Sequence, residues 1–196
     1  MSMRLPAGTL RQVRLTFDDG PDLATTPKLL EHLAELRVKA TFFVLGSKIA
    51  NPQGHAVVER IAAEGHQIGN HGYSHVDLTK LTPAAVEDEI NRTEELIGML
   101  DRGIKVWRPP FGLHNTIVDN LISKLGYRLV LWNVSSLDWT ARYQNGSWVS
   151  HVMKQIEVTQ NCVVLAHDIF PSTVIHVPQL IAAIRHLPNT EFAQVP

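Results

Sequence analysis

The sequence predicts an α/β protein built as a distorted or incomplete (β/α) barrel of about seven parallel strands. Three observations predict it. Short β-like runs alternate with stretches of helical periodicity along the whole chain. The connections between them are short, with no linker-like composition. Nearly every predicted strand also ends in a cluster of chemically able side chains. An open doubly wound sheet gathers its ligand groups at one switch point, whereas a barrel draws them from many strand ends, so the barrel is favoured. On this reading residues 1–196 form one domain.

The elements follow in order. Val13–Phe17 reads as a strand closed by Asp18-Asp19-Gly20-Pro21. Thr26 and Pro27 predict a helix start, with Thr26 as cap, and Leu29, Leu30, Leu33 and Leu36 recur at helical spacing. Thr41–Leu45 is the next strand, followed by a helix over Val57–Ala63 that ends at Gly65, and a short strand over His66–Gly69. A long helix is capped by Thr82 with Pro83 in its first turn; Val86, Ile90, Ile97 and Leu100 form its apolar stripe, and Gly103 ends it. Further strands are expected at Lys105–Arg108, Arg128–Val134, Cys162–Ala166 and Glu191–Val195. Helices are expected at Ile117–Leu125, Trp148–Val158 and Val174–Leu187.

Composition narrows the function. Lys plus Arg (18) nearly balances Asp plus Glu (19), so no basic field exists to attract a phosphate backbone, and no nucleic-acid partner is expected. The acidic run Glu87-Asp88-Glu89 reads as a solvated helix face. The single cysteine, Cys162, excludes an internal disulfide and a thiolate metal cluster, and it reads as a buried small hydrophobe. No apolar stretch reaches the ~18 residues of a membrane span. The opening Met-Ser-Met-Arg-Leu-Pro lacks the apolar core of a signal peptide. The expectation is a cytoplasmic protein, or a secreted one from which a leader has been removed. Nothing in the sequence implies an obligate protein partner.

The strand ends carry the chemistry. Asp18 and Asp19 are adjacent carboxylates at a tight turn and point in different directions, so one can hold a metal while the other handles a proton. His71 and His75, four residues apart, can share one face of a helical turn and suit a borderline cation such as zinc. Gly72 stands where a zinc-protease helix would carry its glutamate, so a base must come from elsewhere, and Asp18 is the candidate. Trp107-Arg108-Pro109-Pro110-Phe111-Gly112 offers an arginine suited to pair with a carboxylate, and an extended backbone suited to aim the Phe111 amide at an oxyanion. Asp138-Trp139 and Leu165-Ala166-His167-Asp168 close two later strands. At this level His167 reads equally as a core residue or as a proton donor to a leaving group.

From Leu15 to about Leu187, these segments in this order resemble the polysaccharide deacetylase family, the NodB-homology or carbohydrate esterase 4 group. Thr16–Pro21, Arg108–Phe111 and Leu165-x-His167 carry its first, third and fifth motifs. The resemblance implies a single NodB-homology domain, with Asp18 as general base, His167 as general acid, and Asp19, His71 and His75 as ligands of one divalent cation. Zinc is the first expectation for that ion, with cobalt, nickel or ferrous iron as alternatives. It further implies that Arg108 orients Asp18, that Asp138 tunes His167, and that Trp139 and Leu165 line the pocket for the acetyl methyl. The implied reaction removes N-acetyl groups from N-acetylglucosamine units of a chitin-type or peptidoglycan-type glycan. The alternatives are a non-sugar amide or ester at the same site, and a sugar-binding pseudo-enzyme. Two positions depart from the pattern: Gly72 replaces the Ser or Thr that usually follows the first histidine, and Ser135 replaces the first Asp of the fourth motif. His114, just past Gly112, is a further candidate for substrate contact.

Overall fold

The computed structural model describes residues 6, 8–98, 100 and 103–196. The opening Met1–Leu5 and Ala7 lie outside the described residues, as do Met99, Asp101 and Arg102 near the expected end of the long helix. The chain runs β1 (Arg11–Gly20), α1 (Thr26–Glu35), β2 (Thr41–Val44), α2 (Gly46–Ile49), α3 (Pro52–Ala63), β3 (Gln67–Asn70), α4 (Pro83–Ile97), β4 (Val106–Trp107), α5 (Thr116–Lys124), β5 (Arg128–Leu129), β6 (Val134–Ser135), α6 (Trp148–Ile156), β7 (Asn161–His167), α7 (Pro171–Arg185) and β8 (Thr190–Phe192). Among the described residues no helix is long and apolar enough to cross a membrane.

The strands form one sheet in the order β5-β4-β3-β2-β1-β7-β6, and every neighbouring pair is parallel. β8 pairs with the amino end of β1. β5 and β6 are consecutive in the chain yet form opposite edges of the sheet. The four residues 130–133 between them can span at most about 18 Å, so the sheet must curl until its edges nearly meet. The result is an incompletely closed (β/α) barrel, the architecture expected from the sequence.

β1 shows how the pattern places the site. Val13, Leu15 and Phe17 alternate along one face and belong to the large core with Leu29, Leu30 and Leu33 of α1 and Val177 and Leu180 of α7. The period of two sends Thr16 and Asp18 to the other face, into the barrel. There the interior is partly polar: Thr16, Asp18 and Arg108 are all buried.

Several elements differ from expectation, each for a physical reason. Arg128–Val134 is two short strands rather than one, because residues 130–133 cross the gap between the sheet edges. The crossing segment's carbonyls lie beyond the sheet ladder, and the buried Arg108 guanidinium meets them: Nε donates to the Val130 carbonyl (3.0 Å) and Nη2 to that of Leu131 (3.5 Å). Thr26 does not cap α1; its hydroxyl accepts from the Asp22 N–H (2.8 Å) and donates to Asp168 (2.5 Å). α3 starts earlier than the periodicity suggests, at Pro52, because Asn51 caps it through Gly54 N–H (2.9 Å). Thr82 does cap α4, but that helix ends at Ile97 with Gly98 as its cap, short of Gly103. β3 and β8 sit one residue away from their expected starts. Cys162 is buried, and burial pushes its thiol up to about 11 against the pull of Arg11 and Arg14.

Candidate active site

The end of β1 brings two neighbouring carboxylates into one cleft. Strict alternation would send them to opposite faces. Instead the pairing of β1 with β2 shifts between Asp18 and Gly20, and Asp19 holds a left-handed backbone at φ 71°. Bulges of this kind re-aim side chains beside active sites.

Asp18 is buried, and its Oδ1 accepts from Arg108 Nη1 at 2.7 Å. The same Nη1 lies 2.7 Å from the Thr16 hydroxyl, and the guanidinium stacks 4.1 Å above the Phe43 ring. Arg108 is wholly buried, in keeping with its expected pairing with a carboxylate. Burial lowers the Arg108 pKa while Asp18 pushes it back up. Arginine nevertheless stays charged in proteins. Asp18 Oδ2 faces the cleft, 3.9 Å from His71 Nε2.

Asp19 Oδ1 lies 3.3 Å from His71 Nε2 and 3.1 Å from His75 Nε2. The three candidate ligand atoms lie within 4.8 Å of one another. His71 Nδ1 donates to the Arg108 carbonyl at 2.7 Å, which leaves Nε2 as a bare lone pair facing a carboxylate oxygen. Two acceptors facing each other in a buried place is the arrangement a cation resolves, and a backbone-fixed imidazole is the usual support for a ligand. The residues therefore fit a divalent metal. Burial alone would raise the Asp19 pKa. When protonated, the His71 and His75 rings instead donate to it, and with His167 further off they outweigh that burial and hold the carboxyl well below the usual carboxylate range. The two histidines do not share a helical turn: residues 71–75 form a loop with Gly72 at φ 81° and His75 at φ 58°.

Across the cleft, His167 ends β7 in register with Asp18. Its Nδ1 pairs with Asp138 Oδ1 at 2.8 Å, while Asp138 Oδ2 accepts from the His167 N–H (2.9 Å) and the Thr173 hydroxyl (2.6 Å). Nε2 is thereby turned into the cleft, 3.9 Å from Asp19 Oδ2. Burial would lower the His167 pKa, but Asp138, then Asp18 and Asp19, raise it to about 8.

The cleft holds about 320 Å³, and its apolar wall is Phe111, Trp132, Trp139, Leu165 and Phe170. Ten of the eleven candidate site residues named from the sequence converge here, His114 being the exception. Eight line the cleft, while Arg108 and Asp138 stand directly behind Asp18 and His167. Trp132 and Phe170 were not singled out. Phe170, three residues past His167, packs edge-on against its ring at 5.6 Å. Trp132 sits in the segment misread as continuous strand. His114 pairs with Asp119 at 2.9 Å and does not line the cleft.

The sequence profile described as polysaccharide deacetylase matches residues 7–130. The chain belongs to the polysaccharide deacetylase family. A peptidoglycan-N-acetylglucosamine deacetylase of Bacillus cereus is 42% identical over 132 residues, covering 65% of this chain and 46% of that one. A chitooligosaccharide deacetylase of a Bradyrhizobium species is 38% identical over 166 residues, covering 82% of this chain and 72% of that one. The solved T48 deacetylase with substrate superposes with a TM-score of 0.84 at 36% identity, covering 97% of this chain and 92% of that one. The chain spans less than half the length of the peptidoglycan-N-acetylglucosamine deacetylases it matches, from Bacillus cereus and Listeria monocytogenes.

Proposed function

We propose that this polysaccharide deacetylase removes N-acetyl groups from N-acetylglucosamine units of an oligo- or polysaccharide and releases acetate. One divalent cation, zinc first among the candidates, would be held by Asp19, His71 and His75. The observation that carries the reading is the His71 Nε2 lone pair against Asp19 Oδ1, with Asp18 and His167 on either side of it.

When bound there, the cation would polarise the acetyl carbonyl and acidify water. Asp18, fixed through Oδ1 by Arg108, presents Oδ2 to take the proton of the attacking water. The Phe111 N–H, carried on a tight turn with Phe111 at φ 60° rather than on the expected extended backbone, would donate to the developing oxyanion. His167 carries the proton for the departing nitrogen on Nε2, because Nδ1 is committed to Asp138. Without that proton the carbon–nitrogen bond would have to release an amide anion. Leu165 and Trp139 offer an apolar seat for the acetyl methyl. The exposed rings of Phe111 and Trp139 flank the opening, and exposed apolar surface beside a cleft marks a binding groove. They suit the flat faces of sugar rings.

The test is acetate release from defined N-acetylated glucosamine oligomers, peptidoglycan and small acetyl esters, with and without EDTA. Glycan-dependent release that EDTA stops and zinc restores supports the reading. Release only from small esters would move the substrate away from glycans, and EDTA-resistant release would remove the metal.

A further inference from the structure

The acidic run Glu87-Asp88-Glu89 on α4 is not a uniformly solvated face. Glu89 is only 8% exposed and turns toward the loop that carries the two ligand histidines. Its Oε2 accepts from the backbone N–H of Tyr73 (2.8 Å) and of Ser74 (2.9 Å), and its Oε1 accepts from the Ser74 hydroxyl (2.6 Å). Other backbone groups of the loop are partnered as well. Gly72 N–H donates to Asn70 Oδ1 (2.8 Å), while the Gly72 and Tyr73 carbonyls accept from Gly46 N–H (3.0 Å) and Ser47 N–H (2.9 Å). Glu89 is thus the acceptor for two of the three backbone donors lying between His71 and His75, and Asn70 takes the third.

The loop needs such a clamp. His75 holds a left-handed backbone at φ 58°, which a residue with a Cβ adopts reluctantly. That conformation is what brings His75 Nε2 to 3.1 Å from Asp19. Gly72 leaves the loop without a hydroxyl of its own next to the first histidine, and a Cβ placed there would lie 3.4 Å from Glu89 Oε2. Glu89 occupies the place from which such a hydroxyl would be braced.

We propose that Glu89 is the positioning residue of the cation site: it never touches the metal, but it sets the His71–His75 loop before the metal arrives. The proposal rests on the metal reading above. It makes affinity depend on the shape of the acceptor rather than on its charge. A glutamine at this position keeps the shape, since its carbonyl oxygen can accept from both backbone N–H groups while its amide nitrogen donates to the Ser74 oxygen.

The experiment measures zinc affinity of the metal-free full chain by competition with a chromophoric chelator, alongside the thermal midpoint without metal. Glu89→Ala should weaken zinc binding about ten- to a hundredfold, the usual cost of losing an outer partner of a metal site. Glu89→Gln should restore it to within about threefold of the parent. A Glu89→Ala protein that binds zinc as the parent does overturns the proposal, and so does a Glu89→Gln protein that loses as much as Glu89→Ala. A parent that binds no zinc overturns the metal reading itself and this proposal with it. Should Glu89→Ala fail to fold, hydrogen exchange on the metal-free parent decides. The Tyr73 and Ser74 amides should be protected about tenfold or more, as for a bond to a charged acceptor. Free exchange at both would overturn the proposal.

Discussion

β3 is flanked by two histidines, and they show what separates a core residue from a candidate metal ligand. His66 precedes the strand and His71 follows it. Both are nearly buried, at 5% and 2% exposure, and both use Nδ1 toward backbone. His66 Nδ1 accepts from the Ala40 N–H at 3.1 Å, so its proton sits on Nε2. His71 Nδ1 donates to the Arg108 carbonyl at 2.7 Å, so its Nε2 is a bare lone pair. Burial is common to the two, and the backbone group opposite Nδ1 decides the tautomer and with it the role. The carbonyl comes from the residue just after β4, the N–H from the residue just before β2.

The largest effect expected from this contrast is at the metal. The double change His71→Ala, His75→Ala should leave no stoichiometric zinc by elemental analysis and reduce acetate release by more than about a thousandfold, given the several kcal/mol a metal supplies. His66→Asn, which keeps an acceptor for the Ala40 N–H, should leave zinc content unchanged. Full zinc content in the double variant would break the assignment.

The neighbouring carboxylates extend the comparison to catalysis. Asp18→Asn keeps an oxygen for Arg108 Nη1 and leaves the three ligands untouched, so zinc content should stay and turnover should fall about a hundred- to ten-thousandfold. Loss of zinc along with activity would show that Asp18 also serves the cation site.

The contrast also explains what the sequence revealed. Asp18, Asp19, His71, His75 and His167 were legible because each lies in a short contiguous string at the end of a strand, where local order alone places it. The loop geometry that joins His71 to His75 was not legible, because it depends on Glu89, Gly46 and Ser47 from other elements. An acidic triplet on a helix looks solvated until the fold presents two backbone donors to one member. Arg128–Val134 had the composition of one strand, and only closure of the sheet divides it between two edges. Among the histidines away from the motifs, His66 had no signal to separate it from surface ones. Its burial comes from packing edge-on to Phe42, with ring centroids 5.5 Å apart.

His167 gives a smaller and more selective effect. His167→Ala should cut amide hydrolysis about a hundred- to ten-thousandfold yet spare an activated ester, whose leaving group needs no proton. The pH profile should agree. Burial acts to lower the His167 pKa, but Asp138 chiefly outweighs it and the ring titrates near 8. The acid form is therefore lost as pH rises through the His167 pKa, which a cation on Asp19 would bring below about 8, and amide turnover should fall there while ester turnover does not. Equal losses on both substrates, with the fold intact, would reduce His167 to a structural residue.

The smallest effect is on stability and concerns His66 alone. Burial, with a further push from Lys39 and against the pull of Glu64, lowers its pKa to about 4. The unfolded chain would titrate this histidine near the usual 6.5 or so. A folded pKa below the unfolded one means the unfolded state binds the proton first. Stability from this group is then complete above about pH 6.5 and is lost as pH falls through the window down to about 4. Between pH 7 and pH 5 the loss should be about 2 kcal/mol. Urea unfolding of the metal-free protein at the two pH values measures it, and His66→Asn supplies the reference because asparagine does not titrate. The variant is expected to be less stable at pH 7, since the smaller side chain leaves space beside Phe42. Its decline between pH 7 and pH 5 should nevertheless be smaller than the parent's by about 2 kcal/mol, and other titrating groups cancel in that difference. Equal declines in parent and variant would mean that His66 takes up its proton inside the folded protein. The two ends of β3 would then not differ in the way their hydrogen bonds imply.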